Sequence, residues 1–246
     1  MGATEVLILI GAFAGGYVSG LTGFGTGLTA LPFWLVAVNP VVAAPLVVIC
    51  SIVAQVQTLP AIWHAINWRQ VAPFVLGGLI GVPIGTVFLT LVSPHFFKLF
   101  VGIFLIVYCG SMLARGSTPM FAWGGRAADG AVGFGGGVLG GLAGLSGALP
   151  TIWVSLRGWG KDAKRGVFQV FNLSILSFAL LSHTVGGFIS FGLGKLVLVA
   201  LPGTVVGAWL GRKTYSWLGD DRFNQVVLVL LLLSGISIIV MATMVG

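Results

Sequence analysis

Apolar runs long enough to cross a lipid bilayer recur from one end of this 246-residue chain to the other. A hydrocarbon core about 30 Å thick requires about 20 helical residues for each crossing. Only 7% of the residues are charged and 57% are hydrophobic, whereas soluble domains carry about 25% charged residues. The sequence therefore predicts an all-α polytopic membrane protein, with a single transmembrane transport domain over 1–246 and no separate soluble domain.

The chain also contains an internal repeat. The pattern GxxxGLxG begins at Gly16 and recurs 121 residues later at Gly137. The tripeptide ALP occurs at 30–32 and at 148–150, and GxxxG occurs at 81–85 and at 203–207. We therefore predict two copies of one unit, covering about 1–118 and about 127–246.

Proline, glycine and charged residues divide the apolar runs into ten predicted helical segments, with boundaries good to a few residues. Two of the segments are too short to cross a membrane alone, and both begin at glycine-rich turns. We expect about 8–10 membrane segments including these two short helices. The predicted segments are 5–21, 27–38, 41–62, 71–92 and 97–113 in the first copy, and 129–143, 147–156, 166–187, 194–210 and 223–244 in the second.

The distribution of basic residues tests the topology. If each copy crosses the membrane an odd number of times, ten basic residues collect on one face and two on the other; an even number divides them eight to four. Basic residues mark the cytoplasmic face, so we expect odd parity, both termini in the periplasm and inverted repeats. The chain begins without the basic region of a cleavable signal peptide, so we expect the first helix to be retained. The ten are Arg69, Arg115, Arg126, Arg157, Lys161, Lys164, Arg165, Arg212, Lys213 and Arg222, and the two are Lys98 and Lys195.

The two glycine-rich turns read LTGFGTGL at 21–28 and LAGLSGAL at 142–149. Each leads into a short helix whose first N–H groups have no intrahelical partner, and these groups and the positive end of the helix dipole suit an anion. The hydroxyls of Thr22, Thr26 and Ser146 would add donors. The alternative is that the glycines only permit tight helix packing, which we expect for those at GxxxG spacing.

Two segments downstream of the turns carry most of the remaining intramembrane polarity, and we expect them to face the interior because amides are costly in hydrocarbon. Hydrogen bonding between helices is an equal alternative to lining a pathway. These polar residues are Ser51, Gln55, Gln57 and Thr58, and Gln169, Asn172, Ser174 and Ser177. The candidate substrate-binding residues are Thr22, Gly23, Phe24, Gly25, Thr26, Gly27, Gly144, Leu145, Ser146, Gly147, Ser51, Gln55, Gln169 and Asn172.

The other chemically active side chains narrow the function. All five carboxylates are expected at segment ends or in connections, which argues against a cation carrier. Isolated histidines and cysteines supply no nucleophile with its base and no metal set, so we expect neither an enzyme nor a cofactor. His64 and His183 are expected to be solvated interfacial anchors, with a proton relay left open. Cys50 and Cys109 are expected to be small buried side chains. The basic residues serve orientation, so we expect no nucleic-acid partner.

The paired glycine turns, the duplication and the stretch GKDAKRG at 160–166 resemble the TauE/SafE family of sulfite exporters, and the resemblance covers essentially the whole chain. It implies a bacterial inner-membrane carrier with seven or eight spans for sulfite, sulfoacetate or another small anion. We therefore expect export of a small sulfur-containing anion by alternating access across the lipid bilayer. A proton-coupled importer and a passive anion channel are alternatives. Lys161, Lys164 and Arg165, taken as a basic connection, either attract anions or only orient the chain. The sequence indicates no oligomeric state.

Overall fold

A computed structural model of the chain describes residues 2–93, 124–157 and 159–215 continuously. It also describes residues 95, 96, 99, 100, 102, 103, 106, 107, 109 and 110, and 225, 228, 229, 232, 233, 235–240 and 243. Every regular element in these residues is helical, so the predicted all-α fold is confirmed. Cys50 and Cys109 are buried and free, as expected.

Eight α-helices lie in the continuously described part of the chain. They are α1 (Ala3–Thr22), α2 (Thr26–Ala37), α3 (Pro40–Thr58), α4 (Trp68–Leu91), α5 (Gly125–Ala143), α6 (Ala148–Ser155), α7 (Lys161–Val185) and α8 (Phe191–Tyr215). Among them, α1, α3, α4, residues 162–185 of α7, and α8 are long and apolar enough to cross a membrane. The protein is therefore a multi-pass membrane protein.

Several helix ends lie three to five residues from their predicted positions. α3 ends at Thr58 and gives way to single-turn 3-10 helices at Leu59–Ala61 and Trp63–Ala65, because Pro60 has no N–H to continue the ladder. α7 begins at Lys161, so the basic stretch expected to be a connection forms its first turns. α8 extends to Tyr215 and includes basic residues taken as loop. The predicted segments 97–113 and 223–244 are described at 8 of 17 and at 12 of 22 residues, and each of those residues is helical.

Glycines allow two pairs of helices to pack backbone against backbone. A methyl group at Gly207 of α8 would overlap the carbonyl oxygen of Phe13 in α1, and one at Gly16 would overlap the carbonyl oxygen of Thr204. Between α4 and α5, a methyl group at Gly137 would overlap the carbonyl oxygen of Gly78. Each pair joins a helix from the first predicted copy to a helix from the second, so the two halves are interleaved.

The two short helices turn back along the helices that precede them. The indole nitrogen of Trp34, late in α2, donates to the Ile8 carbonyl near the start of α1 at 3.0 Å. In the second half, Trp153 of α6 donates to Oδ1 of Asp129 in α5 at 2.7 Å, and Arg157 donates to the same oxygen at 2.6 Å. The α1–α2 and α5–α6 units are therefore helical hairpins, and their glycine-rich turns face inwards.

The α1–α8 contact can be tested with two substitutions in one helix. Replacing Gly207 with alanine should lower the thermal unfolding midpoint in detergent, because the new methyl group forces two backbones apart at a cost of about 1–3 kcal/mol. The matched control is Gly194→Ala in the exposed first turns of α8, where a methyl group meets nothing within 4 Å.

The control should keep or slightly raise the midpoint, since alanine is the better helix former by about 0.5–1 kcal/mol. Tryptophan fluorescence or circular dichroism during heating would measure both variants. Equal midpoints for the two variants would contradict backbone contact between α1 and α8.

Candidate functional site

The first turn separates α1 from α2 and contains two glycines in the left-handed conformation. Gly23 caps the end of α1 at φ 81°, and its N–H donates to the Ser19 carbonyl at 2.8 Å. Gly25 precedes α2 at φ 91°. In the second turn, Gly144 has φ 69° and ends α5 in the same way. Such positive φ values favour glycine, so the sequence of each turn selects the point where its hairpin reverses.

A cavity lies where the two turns meet. Its volume is about 10 Å³, which is room for about one water molecule. Residues of both turns, of α3 and of α7 form its walls, and no acidic side chain is among those described. The lining residues are Phe24, Gly25, Thr26, Gly27, Leu28, Ser51, Gln55, Gly144, Leu145, Gly147, Ala148, Asn172 and Leu176.

The N-termini of both short helices reach this cavity. The first intrahelical bond of α2 runs from the Thr29 N–H to the Gly25 carbonyl, so the amides of residues 26–28 precede the ladder, and all three residues line the cavity. Gly147 and Ala148, at the start of α6, line it as well. Orphan amides and two helix dipoles thus give the cavity a positive electrostatic character without a charged side chain in its wall.

Buried amide side chains connect the two turns across the cavity. Asn172 of α7 donates from Nδ2 to the Gly23 carbonyl at 3.3 Å and accepts at Oδ1 from Ser146 Oγ at 2.5 Å. Gln55 of α3 donates to the same Gly23 carbonyl at 2.8 Å. Gln169 donates to Thr58 Oγ1 at 2.6 Å and to the backbone carbonyl of Gln55 at 2.9 Å. These bonds hold α3, α7 and both turns in one network.

The network leaves several oxygens unpaired among the described residues. Thr26 Oγ1, Gln55 Oε1 and Gln169 Oε1 are buried and lack hydrogen-bond partners there. A threonine hydroxyl can donate or accept, whereas an amide oxygen only accepts. Thr26 is therefore a hydroxyl that lines the cavity and remains able to donate into it.

Ten of the fourteen candidate binding residues line the cavity, and the other four surround it. Thr22 is not in the wall, because its hydroxyl lies 2.9 Å from the Val18 carbonyl and 2.8 Å from the Phe24 carbonyl and holds the turn. Gly23, Ser146 and Gln169 contribute through the hydrogen bonds described above. The prediction missed Leu28, Ala148 and Leu176; Leu176 lies one helical turn after Asn172, so helix periodicity could have found it.

Two expectations about polar side chains are wrong. Ser177 is exposed, because it lies five residues after Asn172, about 140° around α7 at 3.6 residues per turn. His183 is fully buried, not a solvated anchor, and its Nε2 lies 2.8 Å from the Gly141 carbonyl. His64 is exposed, as expected. Among the described residues, no three His, Cys, Asp or Glu side chains are grouped closely enough to hold a metal ion.

A comparison with protein families matched the family described as "Sulfite exporter TauE/SafE" over residues 7–238. That match covers nearly the whole chain. The chain belongs to the TauE/SafE family of sulfite exporters. Comparisons with curated proteins and with solved structures returned no significant match. The family is one of membrane transporters, and the cavity described above is the candidate transport site of this TauE/SafE chain.

Sequence reasoning missed one residue of this TauE/SafE chain beside the site. Arg165 was taken as part of a connection, yet it lies in the second turn of α7 with its side chain fully buried. A side-chain carbon, Cγ, lies about 3.0 Å from where a methyl group on Gly23 would be. Its spacing of four residues from Gln169 and seven from Asn172 places it on the same face of α7, and that spacing was the available signal.

A matched pair of substitutions separates the two threonines of the first turn. Thr22→Val should lower the thermal unfolding midpoint, because it removes the hydroxyl that caps α1 and leaves the Phe24 N–H, now 3.3 Å from that oxygen, without its acceptor. The expected cost is about 1–3 kcal/mol. Thr26→Val should keep or raise the midpoint, since the Thr26 hydroxyl has no partner among the described residues.

Unfolding in detergent, followed by tryptophan fluorescence, would compare both variants with the unsubstituted protein. A larger loss for Thr26→Val than for Thr22→Val would contradict the assignment of the two hydroxyls.

Proposed function

We propose that this protein moves a small oxyanion of sulfur, sulfite or an organosulfonate such as sulfoacetate, out of the cytoplasm by alternating access. The observation that carries the proposal is the convergence of two helix N-termini on one cavity that has no described acidic residue in its wall. Backbone amides at helix starts are a recurrent site for phosphate and sulfate-like anions. Membership in a sulfite exporter family supports the same class of substrate.

The donors around the cavity favour a compact ion. Sulfite carries its charge on three oxygens around one sulfur, so several donors can approach it at once. The donors on offer are the amides at the start of α2, the Thr26 hydroxyl and the Ser51 hydroxyl, which also lines the cavity. In the described conformation the cavity is too small for any of these anions, so binding would require it to widen.

Inverted repeats would supply the alternating access. The two hairpins have matched internal tethers, Trp34 to Ile8 and Trp153 to Asp129, and positions 8 and 129 are related by the same 121-residue offset as the glycine motifs. If the repeats are inverted, the hairpins enter from opposite faces and meet near the membrane centre. Rocking of one interleaved half against the other would then expose the cavity to each face in turn.

Membrane potential would drive export without a coupling ion. An anion that leaves a cell with a negative interior gains about 2.3 kcal/mol per charge per 100 mV. The excess of basic residues on one predicted face supports a cytoplasmic position for that face. Both termini would then be periplasmic, in the inner membrane of a bacterium.

Purified protein in proteoliposomes should carry sulfite in a saturable manner, accelerated by a potential that is negative on the side holding sulfite. Thr26→Val should raise the KM for sulfite about threefold to tenfold, the loss of one neutral hydrogen bond. Thr22→Ala should change KM little in the folded fraction. Radiolabelled sulfite flux and counterflow would measure both effects.

Three other results would contradict parts of the proposal. Flux that never saturates and lacks counterflow would indicate a channel. Uptake that requires a proton gradient would indicate an importer. No flux of sulfite, sulfoacetate or related sulfonates under any imposed potential would remove the substrate assignment.

The proposed orientation predicts which end of α8 faces the periplasm and which faces the cytoplasm. Lys195 and Lys213 are exposed near opposite ends of this helix, about 27 Å apart along its axis at 1.5 Å per residue. In intact cells, a membrane-impermeant maleimide should label Lys195→Cys and should label Lys213→Cys only after permeabilisation. The buried native cysteines leave a low background. The reverse pattern would place both termini in the cytoplasm.

A further inference from the structure

Arg165 lies beyond one end of the cavity and does not line it. Arg165, Gln169 and Asn172 follow one another on a single face of α7, so Arg165 is about 10 Å from Asn172 along the helix axis. Arg165 Nε lies 3.7 Å from the position of a methyl group on Gly23, whose carbonyl meets the amides of Gln55 and Asn172. The Gly23 peptide thus separates the guanidinium group from the cavity.

The contacts of Arg165 hold its guanidinium group in place, and no described carboxylate forms a direct ion pair with it. Nη2 donates to the Gly20 carbonyl at 2.5 Å, and the guanidinium carbon lies 3.8 Å from the centroid of the Tyr215 ring. The Tyr215 hydroxyl donates to Oδ1 of Asp162, so Tyr215 contacts both that carboxylate and the guanidinium group of Arg165. Nε and Nη1 of Arg165 are buried and lack hydrogen-bond partners among the described residues. Burial of a cation with unpaired donors destabilises a fold. A ligand that pairs with these donors would offset that cost.

We propose that Arg165 binds the transported oxyanion between the cavity and the membrane face that carries most of the basic residues. This inference rests on the proposed function and adds to it a second, charged binding position on one access route. The guanidinium group attracts the oxyanion before the anion loses its water. The neutral donors of the cavity then bind the desolvated anion. A guanidinium group suits this task because it keeps its charge and donates in one plane to an oxyanion.

The opposite route has no guanidinium group at the matching positions. The Gly141 carbonyl, which corresponds to Gly20 by the 121-residue offset, is bonded by His183 near the other end of α7. A carbonyl only accepts, so His183 Nε2 carries the proton in this contact. The position that corresponds to Arg165 itself is Ala44, which is buried. The asymmetry suits a carrier that collects its anion on one side.

The test compares sulfite transport from each face in right-side-out and inside-out membrane vesicles. Arg165→Gln should raise the KM for sulfite by about tenfold or more at the face rich in basic residues, the loss expected for one charge-assisted hydrogen bond. The KM at the opposite face should change less than about twofold. Arg165→Lys, which keeps the charge and loses the planar group, should lie between Arg165→Gln and the unsubstituted protein.

Arg212→Gln is the matched control. Arg212 lies in the last turn of α8, on the face predicted to be rich in basic residues, and its side chain is only partly buried. Its KM should match that of the unsubstituted protein at both faces. If Arg212→Gln raises KM as much as Arg165→Gln does, general surface charge accounts for the effect and the inference is overturned.

A second measurement distinguishes anion binding by Arg165 from a purely structural role of Arg165 and from sulfite transport itself. Sulfite should raise the thermal unfolding midpoint of the purified protein and of Arg212→Gln, and should raise that of Arg165→Gln much less at equal concentration. If Arg165→Gln melts earlier but keeps the same KM and the same sulfite-dependent shift, Arg165 is only structural. Absence of sulfite flux in the unsubstituted protein defeats the proposed function, and the midpoint shift still decides whether Arg165 binds the anion.

Discussion

Interrupting a helix inside a membrane frees backbone groups that hydrocarbon cannot hydrogen-bond, so the protein itself must supply their partners. At the end of α1, Arg165 donates to the Gly20 carbonyl, and the side-chain amides of Gln55 and Asn172 donate to the Gly23 carbonyl. The equivalent end of α5 receives His183 at Gly141. α3 and α7 thus carry a row of polar residues because two broken helices need donors. At the start of α2 the groups that remain are N–H donors, and the space beside them is the cavity.

Close packing elsewhere makes this arrangement possible. The glycine contacts between α1 and α8 and between α4 and α5 bring backbones together without side chains between them. These two pairs flank the central helices and hold each hairpin against a helix from the other half. Within the centre, Phe24 of the first turn and Phe168 of α7 pack edge to face with ring centroids 5.4 Å apart. A rearrangement that opens the cavity would move whole hairpins more readily than single turns.

The chemistry of the site divides into two kinds of donor. The cavity wall offers backbone amides and hydroxyls, which in the proposed function would stabilise an anion through neutral contacts of modest strength. Arg165 adds one full charge outside that wall, oriented by the Gly20 carbonyl and the Tyr215 ring. A fixed charge inside the cavity would hold an anion too tightly for release, whereas one on the access route increases its local concentration. The separation suits transport, where binding must also be reversible.

The sequence by itself determined the all-helical membrane fold, the two breaks and most of the cavity wall. Apolar length, glycine turns and the repeat are local properties, and ten of the fourteen candidate residues follow from them. The sequence could not determine which polar side chains bond to each other and which face the cavity. Thr22 and Thr26 sit in one turn, yet one hydroxyl caps a helix and the other is unpaired. Arg165 and His183 were misplaced because charge and position predict an exposed residue, and only the packing of α7 against two broken helices buries them beside carbonyls that need a donor.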